Sequence, residues 1–128
     1  EEYCKWTQFD VDNRALRNES IEDMEFPYPY RAGQRDMAGS VYLSIKRRQN
    51  LFVQAPTGIG KTMGALFPAI KAMGDGYGEK LFYLTAKTIA RGVAVDGLET
   101  LRAQGLHFRS VLITAVRTRI LSLCKGAL

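Results

Sequence analysis

The sequence predicts an α/β fold in which helices cover both faces of a parallel β-sheet. Three short apolar runs typical of buried strands, at residues 50–54, 80–84 and 109–114, alternate with segments of helical periodicity. A glycine-rich segment joins the first run to the helix that follows it. Strands that alternate with helices of this length are joined by right-handed crossovers, which makes the sheet parallel.

The glycine-rich segment has the form of a phosphate-binding loop. Residues 55–62 read A-P-T-G-I-G-K-T, which fits [A/G]-x-x-x-x-G-K-[S/T]. Gly58 and Gly60 allow tight turns that direct backbone N–H groups at phosphate oxygens. Lys61 is expected to reach the β- and γ-phosphates, and the Thr62 hydroxyl to bind Mg²⁺. We therefore predict catalytic roles for Lys61 and Thr62. The predicted nucleotide contacts in the loop are Ala55, Pro56, Thr57, Gly58, Ile59, Gly60, Lys61 and Thr62.

The loop is flanked by the elements that such a site needs. The helix after it has an apolar face at helical spacing, and its positive N-terminal end points at the triphosphate. That face consists of Met63, Leu66, Phe67, Ile70 and Met73. We also predict a helix over residues 33–48, a helix ending near residue 104 and a last helix ending near residue 125. In the helix ending near residue 104, the residues predicted to face inward are Ile89, Val93, Leu98 and Leu101.

Composition and charge narrow the class of protein. A chain of 128 residues holds one domain, and no apolar run approaches the ~20 residues that span a membrane. The first residues lack the pattern of a signal peptide, so a cytoplasmic location is expected. The net charge of +5 favours an anionic partner. Cys4 and Cys124 lie near opposite ends, which is neither a disulfide framework nor a zinc signature.

Four stretches of the chain resemble, in order, the start of the motor domain of XPD/DinG-like superfamily 2 DNA helicases of bacterial type. Residues 26–34, F-P-Y-P-Y-R-A-G-Q, are similar to the F-P-x-x-x-R-x-x-Q motif, and residues 55–62 match the phosphate loop. Residues 83–88, Y-L-T-A-K-T, resemble the motif that contacts the backbone of single-stranded DNA. Residues 111–115 resemble the strand before an iron–sulfur insertion.

The resemblance implies a P-loop NTPase fold of RecA-like type, incomplete in this chain, with ATP and Mg²⁺ as cofactors. It implies that Gln34 reads adenine, and a side-chain amide has the donors and acceptor for the N6 and N7 positions. Arg31 belongs to the same motif and is a further nucleotide contact. The implied partner is single-stranded, forked or duplex DNA. The implied DNA contacts are Thr85, Lys87 and Thr88.

Two departures from the family pattern are visible. Residues 114–121 lack the expected cysteine, which leaves Cys124 as the candidate first ligand of a [4Fe–4S] cluster in a longer parent protein. No D-E-x-H motif follows the phosphate loop, so the carboxylate that holds Mg²⁺ for hydrolysis is absent. We therefore expect residues 26–128 to be the N-terminal part of motor domain 1, truncated before this carboxylate, and residues 1–25 to be a linker or the end of an upstream region.

Two functional interpretations stay open at this stage. The first is a fragment of an ATP-dependent DNA helicase that couples ATP hydrolysis to translocation on single-stranded DNA; the parent is an enzyme, and the fragment alone is inactive. The second is an isolated nucleotide-binding module, or a decayed gene fragment, without motor activity. A small-molecule kinase is a weaker third interpretation, because it gives no reason for the motif at residues 26–34.

Overall fold

The computed structural model describes residues 2–86 and 88–113, apart from the side chain of Thr88. Four helices follow one another in this part of the chain: α1 (Glu2–Glu22), α2 (Gln34–Lys46), α3 (Lys61–Gly74) and α4 (Thr88–Ala103). Helices α2, α3 and α4 correspond to the three helices predicted over residues 33–104. The last predicted helix lies outside the described residues.

The predicted parallel sheet, and with it the α/β fold class, is wrong for this structure, because none of the described residues forms a β-strand. The described residues of the three apolar runs are irregular and exposed instead. Phe52 is 95% exposed, Leu84 89% and Val111 87%. An apolar run indicates that its side chains favour burial, whereas a strand also requires backbone hydrogen bonds to a neighbouring strand. Here the described chain buries its apolar surface by packing helix against helix.

Helix α3 forms the centre of this packing. Its predicted apolar face is confirmed, since Leu66 is 3% exposed, Ile70 0% and Met73 5%. Each of the other three helices packs against α3. Burial of an aliphatic side chain is worth about 1.5–3 kcal/mol, so this one helix accounts for much of the apolar stabilisation.

The N-terminal segment is a 21-residue helix, and its C-terminal end docks on α3. Ile21 is 1% exposed and Met24 5%. The Lys71 ammonium donates hydrogen bonds to the carbonyl oxygens of Ile21 (2.8 Å) and Glu22 (3.0 Å), which are end groups that the helix itself leaves unpaired. A Cβ on Gly74 would lie 2.5 Å from Ile21 Cγ2, so only glycine permits this approach.

Helix α2 starts beside α3 because the segment before it is anchored there. The Phe26 ring packs edge-on against Phe67 of α3, with centroids 5.2 Å apart, and stacks on Tyr30 at 4.2 Å. Gly33, the N-cap of α2, has φ 75°, a left-handed conformation that suits glycine. The chain therefore turns sharply into α2 directly after Tyr30.

Helix α4 contacts α3 mainly through its second half. Leu101 is fully buried and Leu98 packs against the core, as predicted. Ile89 and Val93 are 84% and 47% exposed, so their predicted inward orientation is wrong. The close approach of the helices is at Gly97, where a Cβ would lie 2.7 Å from Met63 Sδ.

We predict that Ile21→Ala lowers the free energy of unfolding by about 2–4 kcal/mol, because it removes buried methyl groups and leaves a cavity between α1 and α3. Urea unfolding measures this loss. Val11→Ala is the matched control, since it shortens a β-branched residue of the same helix that is 56% exposed. Equal losses in the two variants would show that α1 does not pack on α3.

A hydrogen bond on the surface joins α2 to the end of α3. The Tyr42 hydroxyl donates to Asp75 Oδ2 at 2.5 Å, and Asp75 is the C-cap residue of α3. The hydrogen bond to Asp75, with smaller contributions from desolvation and the negative charge of Asp75, raises the pKa of Tyr42 to about 12. The protonated phenol is thus favoured in the folded chain.

We predict that Tyr42→Phe removes the phenol that titrates near pH 12, as followed by phenolate absorbance. Because its pKa is raised on folding, the phenol's contribution to stability is complete below its unfolded pKa of about 10 and is lost as the pH rises through the folded value. The wild type should therefore lose more stability between these pH values than Tyr42→Phe. Tyr3→Phe, at a position that is 83% exposed, is the control and should retain the late titration.

Candidate nucleotide-binding site

Two left-handed glycines shape the loop that enters α3. Gly58 has φ 86° and Gly60 has φ 81°, and Gly60 is the N-cap of the helix. Residues in this conformation let successive backbone N–H groups converge on one point, which is the basis of anion-binding nests. Because α3 begins at Lys61, the positive end of the helix dipole lies at the same place. These two conformations and the start of α3 at Lys61 are compatible with the predicted phosphate loop.

The loop is held from one side by the segment that precedes α2. The Gln34 side chain is 4% exposed, and its Nε2 donates to the carbonyl oxygen of Gly60 at 3.1 Å. Its Oε1 accepts from the backbone N–H of Arg31 at 3.1 Å. The Arg31 guanidinium donates to the carbonyl oxygen of Gly58. The structure thus brings two predicted nucleotide contacts, Arg31 and Gln34, together with the phosphate loop.

The residue between the two loop glycines faces the same segment. A Cβ on Gly33 would lie 3.2 Å from Ile59 Cδ1, so the Ile59 side chain covers the turn into α2. We did not predict this contact or the bond from Gln34 to Gly60. The bond joins residues 26 positions apart in sequence, and no local pattern reports such a pairing. The one available signal was that two recognisable motifs occur in the same short chain.

The cationic and hydroxyl groups of the loop lie at the start of α3. The exposed Lys61 ammonium donates to the carbonyl oxygens of Ala55 (3.0 Å) and Pro56 (2.7 Å), so it crosses the mouth of the loop. Thr62 is half-buried in the first turn of the helix. A flexible cation, a hydroxyl and the first backbone N–H groups of a helix are the donor types that bind a triphosphate with its Mg²⁺.

The predicted DNA contacts lie just before and at the start of α4. Thr85 is exposed in the segment that leads to the helix, and Thr88 is its first residue. Lys87 lies outside the described residues. These three roles stay predictions.

Metal and membrane features can be judged only for the described part of the chain. Within it, no group of three or more His, Cys, Asp or Glu side chains is arranged to hold a metal ion. Cys4 is an exposed free cysteine, and Cys124 lies outside the described residues. No described helix has the length and apolar character needed to cross a membrane.

The comparisons with known proteins agree with this site. The family model of the DEAD/DEAH box helicases matches residues 33–115, which is more than half of the chain. A probable ATP-dependent helicase of Methanocaldococcus jannaschii is 51% identical over 47 residues, covering 36% of this chain. The chain spans only 7% of the length of that relative. No solved structure matches.

The phosphate loop and α3 both lie within the residues that the family model matches. The chain belongs to the DEAD/DEAH box helicase family. Membership implies the use of ATP and Mg²⁺, which agrees with the donor set at residues 55–62.

We predict that Gly60→Ala weakens ATP binding at least tenfold. An added Cβ would lie 2.4 Å from Gln34 Nε2 and would force a side chain into the left-handed region at φ 81°. Gly39→Ala is the matched control. Gly39 lies within α2 with no atom within 4 Å of an added Cβ, so the same substitution should raise stability by about 0.5–1 kcal/mol. Calorimetric titration with ATP and thermal unfolding measure both effects, and unaltered ATP affinity in Gly60→Ala would contradict the assigned loop geometry.

Proposed function

We propose that this chain is the ATP-binding part of an XPD/DinG-like, ATP-dependent DNA helicase. The observation that carries the proposal is the phosphate loop, with Gly58 and Gly60 in left-handed conformations at the start of α3. The XPD/DinG assignment is supported by the motif at residues 26–34. Two side chains of this motif bind the loop directly, as expected if both serve one nucleotide.

Each residue of the site has a distinct part in binding. Lys61 exchanges its bonds to the loop carbonyls for bonds to the β- and γ-phosphates. The hydroxyl of Thr62 supplies an oxygen ligand to Mg²⁺, which neutralises phosphate charge when bound. The loop amides and the N-terminus of α3 cradle the phosphates. Gln34 contacts the adenine edge, and Arg31 supports the same side of the nucleotide.

The proposed nucleic-acid partner is single-stranded DNA, at the segment before α4. Thr85, Lys87 and Thr88 combine hydroxyls, a cation and a helix N-terminus, which together suit a phosphate backbone. The net charge of +5 favours the same class of partner. Coupling of ATP hydrolysis to translocation, forked or duplex DNA as substrate, and a [4Fe–4S] cluster with Cys124 as first ligand are properties we assign to the longer protein.

The domain boundary at residue 26 stays a proposal. Helix α1 packs on α3, so its C-terminal end is attached to the ATP-binding unit even if it begins in an upstream region.

A nucleotide-binding module without motor activity is the second candidate. It is the interpretation that applies to these 128 residues acting alone, which contain no D-E-x-H motif after the phosphate loop. Without an acidic group to hold Mg²⁺ and orient water, P-loop proteins hydrolyse ATP poorly. If this chain hydrolysed ATP rapidly and single-stranded DNA stimulated the reaction, a nucleotide-binding module without motor activity would be excluded. The same result would contradict the expectation that ATP hydrolysis depends on residues outside the chain.

We predict that Lys61→Ala abolishes measurable ATP binding while leaving the thermal unfolding temperature nearly unchanged, because the ammonium is exposed and lies outside the core. Fluorescence titration with an ATP analogue measures the affinity. Lys5→Ala is the control, since it removes an exposed lysine on α1. In a longer form of the protein that hydrolyses ATP, the same substitution at Lys61 should abolish DNA-stimulated turnover. A Lys61→Ala chain that retains wild-type affinity would refute the phosphate-loop assignment.

A further inference from the structure

Three successive residues of the phosphate loop are in contact with the short segment that precedes α2. The carbonyl oxygen of Gly58 accepts from Arg31, and the carbonyl oxygen of Gly60 accepts from Gln34. Between them, Ile59 lies against Gly33. The segment formed by residues 31–34 is therefore one wall of the loop.

Fixing these carbonyl groups also fixes the amides that phosphate binding uses. In a planar trans peptide the C=O and N–H bonds point in opposite directions. The bond from Arg31 to the Gly58 carbonyl therefore sets the direction of the Ile59 N–H. The Gly60 carbonyl accepts from Gln34 and also from the Gly64 N–H at 2.9 Å, which is the first bond of α3. These two bonds together set the direction of the Lys61 N–H, the first N–H of the helix.

The orientation of Gln34 agrees with a role directed at the loop. Only 4% of this residue is exposed, and both ends of its amide are bonded to backbone groups. A Cβ on Gly64, one turn into α3, would lie 3.5 Å from Gln34 Cγ, so the side chain also packs on the helix. The Gln34 amide carries no charge to attract phosphate, and its Nε2 is bonded to the Gly60 carbonyl, so the observed contact links Gln34 to the shape of the loop.

We propose that Arg31 and Gln34 are positioning residues for the triphosphate, in addition to any contact with the base. They hold the carbonyls of Gly58 and Gly60 outward, which pre-orients the amides of Ile59 and Lys61 towards phosphate oxygens. This inference rests on the proposed ATP-binding function. It goes further in stating that the motif at residues 31–34 contributes to binding a triphosphate that carries no base at all.

The size of the effect follows from the bonds concerned. A hydrogen bond of this kind contributes about 1 kcal/mol net, so the loss of one should weaken triphosphate binding about three- to tenfold. A residue that only reads adenine would leave the affinity for a base-free triphosphate unchanged.

The test measures displacement of a fluorescent ATP analogue from this chain by ATP, GTP and inorganic tripolyphosphate, each with Mg²⁺. Gln34→Met replaces the amide by an apolar side chain of similar volume. Arg31→Met removes the guanidinium at an exposed position, so this variant remains informative if Gln34→Met fails to fold. Arg35→Met is the matched control, because it removes an equal charge from an exposed residue of the first turn of α2. Thermal unfolding verifies that each variant is folded.

We expect Gln34→Met and Arg31→Met each to weaken tripolyphosphate binding about three- to tenfold, with Arg35→Met near the wild type. Arg31→Lys, whose ammonium can also donate to the Gly58 carbonyl, should recover part of the loss. Unchanged tripolyphosphate affinity in both folded variants, with a loss confined to ATP, would overturn the positioning role and leave the proposed ATP site intact. A wild-type chain that binds neither ATP nor tripolyphosphate would refute the proposed function and this inference together.

An equal loss in Arg35→Met and Arg31→Met would assign the effect of Arg31 to charge alone and would overturn its positioning role. The neutral substitution at Gln34 would then decide the question for the second residue. A loss there supports positioning by Gln34, and no loss overturns the inference for both residues.

Discussion

The structure depends on one constraint: helix α3 forms the centre of the core, and the candidate nucleotide site lies at its N-terminal end. Its buried face, from Met63 to Met73, receives the other three helices. Its first residue, Lys61, directly follows Gly60, the last glycine of the phosphate loop. A helix is stiff along its axis, so packing at Ile70 or Gly74 also sets where the N-terminal N–H groups point. The geometry of the loop is consequently tied to the packing of the core.

The loop is fixed from two sides, and the same chemistry is used on each. On one side the Lys61 ammonium binds the carbonyls of Ala55 and Pro56, and on the other Arg31 and Gln34 bind those of Gly58 and Gly60. The carbonyls of Gly58 and Gly60 belong to peptides whose N–H groups, those of Ile59 and Lys61, point the opposite way. The positive end of the helix lies at the Lys61 N–H. On the side of Arg31 and Gln34, the directions of the carbonyls and of these N–H groups are therefore set together.

The parts of the structure that the sequence predicted correctly are those set by local patterns. The apolar face of α3, from Met63 to Met73, follows from helical spacing. The two loop glycines adopt the left-handed conformations that the phosphate-loop pattern requires. Both are properties of a few neighbouring residues, so no knowledge of the rest of the fold was needed.

The predictions that were wrong concern partners distant in sequence. The sheet was predicted from apolar runs. Such a run does not specify which other segment will form hydrogen bonds with it as a neighbouring strand, and none of the described residues forms a β-strand. Ile89 lies on the apolar side of α4 by periodicity, yet α3 contacts that helix closer to Gly97, and Ile89 is 84% exposed. The end of α1 is held by Lys71, some 50 residues later, and no local pattern indicates that contact either.

The two roles assigned to Gln34 place a limit on how the base can be read. A side-chain amide has two donor hydrogens and an oxygen with two lone pairs, and the structure uses one on each side. One donor and one acceptor site therefore remain, which is the number that the N6 and N7 positions of adenine require. With 4% of the residue exposed, however, a base edge cannot reach those atoms at hydrogen-bonding distance unless the segment at residues 31–34 moves. Such a movement would pull on the carbonyls of Gly58 and Gly60. The proposed recognition of the base would thus be mechanically coupled to the shape of the loop through the same few bonds.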